Sequence, residues 1–80
     1  MSRYFEPSGL AREGLSIEDI VRVEMRAKAE GVYVVAGRNV RKGCWRVVVE
    51  RGARRVVLEG KDPLTAVIDG AFDDYQELAA

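Results

Sequence analysis

No histidine occurs anywhere in these 80 residues, and Cys44 is the only cysteine. The first absence removes the commonest general base and the commonest metal ligand. The second excludes an internal disulfide and any zinc site built from a cysteine cluster. No apolar run approaches the roughly 18 residues that a membrane span requires. The opening stretch MSRYFEPSGLAREG lacks the apolar centre of a signal peptide, so a cytoplasmic chain without membrane association is expected. A phosphate-cradling loop is missing as well, because Gly37 to Gly43 contains neither Gly-Lys-Ser/Thr nor the spacing of a dinucleotide motif. Without histidine, neither Cys44 nor a serine acquires its usual activating base. The chain is therefore expected not to be an enzyme, with no catalytic residue, no metal and no cofactor assigned. Cys44, beside Trp45 at a strand start, reads as a small core or rim residue.

What is present bounds the rest. A chain this short makes one domain that buries only ~60% of the surface its unfolded form exposes, room for one sheet and one or two helices. With 48% hydrophobic and 32% charged residues it is folded rather than disordered. Thirteen basic and thirteen acidic side chains give zero formal net charge, which argues against generic binding of polyanions by the whole molecule. The charges are nevertheless sorted. Residues 32–61 hold eight Arg and Lys against two Glu, whereas the last nineteen residues hold five acids and no base.

Residues 1–14, with Pro7, Gly9 and Gly14, read as a flexible arm in which Arg3, Tyr4 and Phe5 could anchor onto a partner. Residues 15–80 form the domain. Ser16 is suited to cap a first helix, with Asp19 placed to reach back to the cap amide, Leu15 and Ile20 in staple positions and Gly31 as a left-handed stop. Ile17, Ile20, Val21, Val23 and Ala27 would make its apolar face, from which Met25 strays.

Three strands follow. A two-residue Gly52-Ala53 turn of type II′ pairs Glu50 with Arg55, Val49 with Val56, Val48 with Val57, Val47 with Leu58 and Arg46 with Glu59. Both charged pairs then come out opposite in sign, as cross-strand stability favours. A three-residue Arg41-Lys42-Gly43 loop would pair Asn39 with Trp45, Arg38 with Arg46, Ala36 with Val48 and Val34 with Glu50. A last helix is capped by Asp62 with Pro63 at its first position, and Leu64, Val67, Ile68, Ala71, Phe72, Tyr75 and Leu78 form its core stripe. The expected fold is α+β: a three-stranded antiparallel meander with two helices on one face, in the order α-β-β-β-α.

Three surfaces remain once the core is assigned. With Tyr33, Val35, Trp45, Val47, Val49, Val56 and Leu58 turned to the helices, the other sheet face would show Val34, Ala36, Val48 and Val57 ringed by Arg38, Arg46, Glu50, Arg55 and Glu59. Such an apolar strip with a charged rim suits a partner or dimer. On the last helix, Asp69, Asp73 and Glu77 recur at i, i+4 and i+8 with Asp74 beside them. Like charges at that spacing, near a helix C-terminus, oppose helix stability, so this stripe asks for a positive counterpart, either within the protein or on another molecule. Finally, Arg38, Arg41, Lys42 and Arg46 surround one hairpin with Asn39 and Trp45 among them, a minimal set for phosphate contact and base stacking.

The order α-β-β-β-α over residues 16–79 resembles the double-stranded-RNA-binding domain. That family carries lysines at the start of its last helix, where this chain has Asp62-Pro63-Leu64-Thr65-Ala66, so the resemblance extends to topology alone. Residues 44–78 resemble small prokaryotic and phage proteins made of a hairpin and a helix, namely HicB-like antitoxins and some anti-CRISPR proteins. The features shared are Val56-Val57-Leu58-Glu59-Gly60, Asp62-Pro63, and Ala66 with Ala71. This resemblance implies a non-catalytic protein that neutralises or regulates a larger partner, and no site residue of those families transfers to this chain. From the residues themselves, the acidic stripe Asp69, Asp73, Asp74 and Glu77 is the expected contact for a larger partner with a basic surface, with the sheet face used for dimerisation. A nucleic-acid-binding module using the basic hairpin is the alternative reading, and a purely structural homo-oligomerising subunit is another.

Overall fold

The computed structural model describes residues 14–61 and 63–79. The arm up to residue 13, including Arg3, Tyr4 and Phe5, and the cap at Asp62 lie outside the described residues. Two helices and a three-stranded antiparallel sheet follow in the order α-β-β-β-α: α1 (Ile17–Glu30), β1 (Tyr33–Asn39), β2 (Cys44–Arg51), β3 (Arg54–Gly60) and α2 (Leu64–Ala79). The sheet order is β1-β2-β3, with the Trp45 strand in the middle.

Helix α1 starts where a hydroxyl meets orphan amides. Ser16 accepts from the Asp19 backbone N–H at 3.2 Å, and its own hydroxyl donates to the Asp19 carboxylate at 3.1 Å. Asp19 thus closes the cap through the serine hydroxyl rather than through the cap amide. The helix ends in a Schellman arrangement: Gly31, at φ 68, donates to the Lys28 carbonyl, and the Val32 N–H reaches back to the Ala27 carbonyl at 3.0 Å. This motif brings the residue after the glycine against the last turn, and both Val32 and Ala27 are buried.

The burial of Val32 sets the phase of β1. Side chains alternate along a strand, so Val34 is buried and Ala36 packs against the core, while Tyr33 and Val35 are exposed. This corrects the expected orientation, which placed Val34 and Ala36 outside. The pairing of β1 with β2 is correspondingly shifted by one residue: Val34 meets Val49, Val35 meets Val48, Ala36 meets Val47, Arg38 meets Trp45 and Asn39 meets Cys44. A four-residue loop takes up the difference. The Asn39 side chain accepts from the Lys42 N–H at 3.3 Å, and Gly43 at φ 63 re-enters the sheet.

The second hairpin forms as the charge pairing dictates, from Arg46 opposite Glu59 to Glu50 opposite Arg55. Gly52 has φ 59 and, among the described residues, no non-glycine residue has positive φ, the pattern of a II′ turn. Helix α2 begins one residue after Pro63, whose carbonyl accepts from the Ala66 N–H at 3.1 Å.

One core lies between the helices and the inner sheet face. Ile20, Val23 and Ala27 of α1 and Leu64, Val67, Ile68, Ala71, Phe72 and Tyr75 of α2 meet Val34, Trp45, Val47 and Val49, with Val56 and Leu58 at the margin. Leu78 stands outside this core, as do Ile17 and Val21 of the expected α1 face. Two glycines let α2 lie close to β3. A Cβ added at Gly60 would come within 2.9 Å of Val67, and one at Gly70 within 2.9 Å of Leu58.

Candidate interaction surfaces

Among the described residues, the helices cover one face of the sheet and leave the other bare. The observed registers arrange the bare face in three rows that cross all three strands, with the pair Asn39 and Cys44 beyond the third. Tyr33, Glu50 and Arg55 form the first, Val35, Val48 and Val57 the second, and Gly37, Arg46 and Glu59 the third. The middle row is an apolar band, with Val35 56% and Val57 42% exposed. Charge lies on either side of it. Arg55 donates to Glu50 at 3.2 Å, and Lys42 reaches from the loop to Glu59 at 3.2 Å. The hydrogen bond from Lys42, followed by its positive charge, holds the Glu59 carboxyl below the usual carboxylate range. Where Gly37 contributes no side chain, a shallow groove of about 460 Å³ opens between Val35, Val48, Arg46 and the Val40-Arg41 loop. Of the expected sheet-face residues, Val48, Val57 and Arg55 stand here, whereas Val34 and Ala36 belong to the core and Val35 and Tyr33 take their place.

The acidic stripe of α2 finds its positive counterpart inside the molecule, on α1 rather than on the basic hairpin. Arg22 donates to Asp69 at 2.8 Å and Arg26 to Asp73 at 2.9 Å. Four-residue steps on both helices stay in register, so α1 and α2 run side by side in the same direction. Arg26 also donates to Glu30 at 2.9 Å and lies 4.6 Å over the centre of the Phe72 ring. Burial alone would lower the Arg26 pKa; the hydrogen bonds to Asp73 and Glu30, with the negative charges of both, outweigh it and raise the value above the ordinary one. These bridges are partly exposed, so each contributes at most about 1 kcal/mol. They do neutralise the α1-facing half of the stripe, leaving exposed Asp74 and Glu77 as its outward acidic end.

The basic hairpin is divided by the fold. Trp45 is 5% exposed and Arg38 covers its ring at 5.0 Å, both on the helix side of the sheet. Arg46 stands on the bare side, and Arg41 and Lys42 lie in the loop. The structure therefore does not gather Arg38, Arg41, Lys42, Arg46 and Trp45 around one stacking platform, because the shifted register turns Arg38 and Arg46 to opposite faces.

One apolar surface lies apart from the α1 face expected from the sequence. Ile17, Val21 and Met25, 80%, 48% and 66% exposed, repeat every fourth residue along the outer side of α1. Their spacing was visible, but a single apolar face drawn through Ile17, Ile20 and Val21 merged two stripes. At the far end of the molecule an open hollow of about 700 Å³ lies between Glu30, Arg51, Arg54, Tyr75 and Gln76. Among the described residues no three His, Cys, Asp or Glu side chains converge as a metal site would need, and no helix is long and apolar enough to cross a membrane. Set against known proteins, the chain matches no protein-family model, no curated protein and no solved structure.

Proposed function

We propose that this chain is a non-enzymatic protein-interaction module, a small regulator or inhibitor that works by occupying the surface of another protein. The observation that carries this reading is the uncovered sheet face: an apolar row of Val35, Val48 and Val57 between two charged rows. Valine in the middle of a sheet is ordinarily covered on its second side or replaced by polar residues, as alternation in half-solvated sheets requires. An apolar centre with a polar, charged margin is also the anatomy of a protein interface. The outward end of the acidic stripe, Asp74 and Glu77, supports a further contact with a basic partner surface. The burial of Trp45 under Arg38 disfavours the alternative in which the hairpin stacks on nucleic-acid bases.

The test is capture by the immobilised chain from a nuclease-treated bacterial lysate, with the same chain carrying Val48→Asp, or Asp74→Lys with Glu77→Lys, as comparisons. A discrete protein retained by the unsubstituted chain and lost with Val48→Asp is the expected result. Retention unchanged by every one of these substitutions would sink the reading. Recovery of nucleic acid alone before nuclease treatment, released at moderate salt, would favour the basic loop instead.

A further inference from the structure

We propose that the bare sheet face receives a second copy of this chain, related to the first by a two-fold axis that runs across the strands along the row Val35, Val48 and Val57. The inference rests on the reading of that face as a docking surface and names its occupant. Two identical sheets can pack face to face about an in-plane axis in two ways that keep their strands aligned, as sandwiches do. An axis parallel to β2 sets each row on itself, placing Glu50 against Glu50 and Arg46 against Arg46 of the second copy. Like charges so juxtaposed repel and suppress that pairing. An axis across the strands instead sets the first row on the third.

That second arrangement matches every position of the three rows. Glu50 faces Arg46 of the second copy, Arg55 faces Glu59, and symmetry repeats both pairs. The three valines lie on the axis and meet their own counterparts, which buries the apolar band. The remaining position matches in shape. Tyr33 faces Gly37 of the second copy, where no described residue beyond the two adjoining ones lies within 4 Å of the missing Cβ and where the groove of about 460 Å³ opens. A bulky aromatic and a depression thus occupy the two positions that the axis exchanges. A surface complementary to itself in this way is what an isologous contact requires.

The face is three short strands wide, so it buries close to the lower end of specific interfaces, roughly 1,200 Å² in total. The affinity of such a dimer falls with salt because the charged rows lie at the rim.

The rows allow a test that preserves folding. One variant carries Glu50→Arg with Arg55→Glu, and a second carries Arg46→Glu with Glu59→Arg. Each keeps opposite charges across its own strands but sets like charges against a second copy of itself. Mixed together, the two variants restore every pair. Sedimentation equilibrium of the full chain, with circular dichroism confirming the fold of each variant, should show a dimer for the unsubstituted protein. Each variant alone should dimerise about a hundredfold more weakly or worse, and the equimolar mixture should return to within a few-fold of the original. A monomer up to millimolar concentration overturns the proposal. So does dimerisation unaffected in both single variants, or a mixture that fails to recover. If the chain is monomeric yet its capture of another protein is still lost with Val48→Asp, this inference fails while the reading of the face stands; if neither is seen, both fail.

Discussion

Val47 and Val48 are neighbours with the same side chain, yet Val47 is fully buried and Val48 stands in the middle of the bare face. The same contrast runs across the whole sheet. On the inner side, Val34, Val47 and Val49 share the core with Phe72 and Ile68; on the outer side, Val35, Val48 and Val57 have charged rows as neighbours and no helix among the described residues above them. A three-stranded sheet in a small domain has enough helix to cover one face, and the valines of the second face are left over. Their chemistry is that of a core, and their position is that of a surface. The difference teaches that residue type alone does not report burial; the neighbours in the next row do.

The same charge placed on each side should have opposite consequences. Val47→Asp buries an unpaired carboxylate among apolar groups, which should cost about 4 kcal/mol or more and unfold the domain. Val48→Asp should stay within about 1 kcal/mol of the parent in urea denaturation of the monomer. Equal losses would mean that the outer face is covered within the monomer.

Glycine sharpens the comparison at an intermediate scale. Gly60→Ala drives a methyl to 2.9 Å from the stiff, buried Val67 and should destabilise by about 1–3 kcal/mol. Gly37→Ala meets open space on the outer face and should stabilise the strand by roughly 0.5–1 kcal/mol. Thermal melts of both variants check the signs.

The smallest effect concerns the loop and the third row. Lys42→Ala removes the hydrogen bond and charge that hold Glu59 down, so the Glu59 carboxyl should titrate closer to its ordinary value by NMR. Because Glu59 is depressed in the folded state, its contribution to stability is present above the unfolded carboxylate pKa and is lost as pH falls through the folded value. The variant should show less of that loss on acidification than the parent.

Much of this fold is legible in local residues. Ser16 and Gly31 delimit α1, Gly52 and the opposite charges at Glu50 with Arg55 and Arg46 with Glu59 register the second hairpin, and the spacing from Leu64 to Tyr75 marks the buried side of α2. The first hairpin was less legible. Val32, Tyr33, Val34, Val35 and Ala36 form an apolar run without alternation, so a one-residue slip exchanges core and surface. The available signal was the helix stop: the residue after a Schellman glycine packs back on the last turn, which puts Val32 inside and fixes every position after it. The counterparts of the acidic stripe were less legible still, since Arg22 and Asp69 are 47 residues apart and meet only when α1 and α2 pack side by side.

What the sequence by itself determined is therefore the set of elements, their caps and the β2–β3 register, because each depends on interactions within a few residues or across one tight turn. Only the tertiary structure decided the phase of β1, the pairing of Asp69 and Asp73 with α1, and the separation of Arg38 from Arg46. Those outcomes depend on which surfaces two helices can bury at once, and that is a property of the packed domain rather than of any one segment.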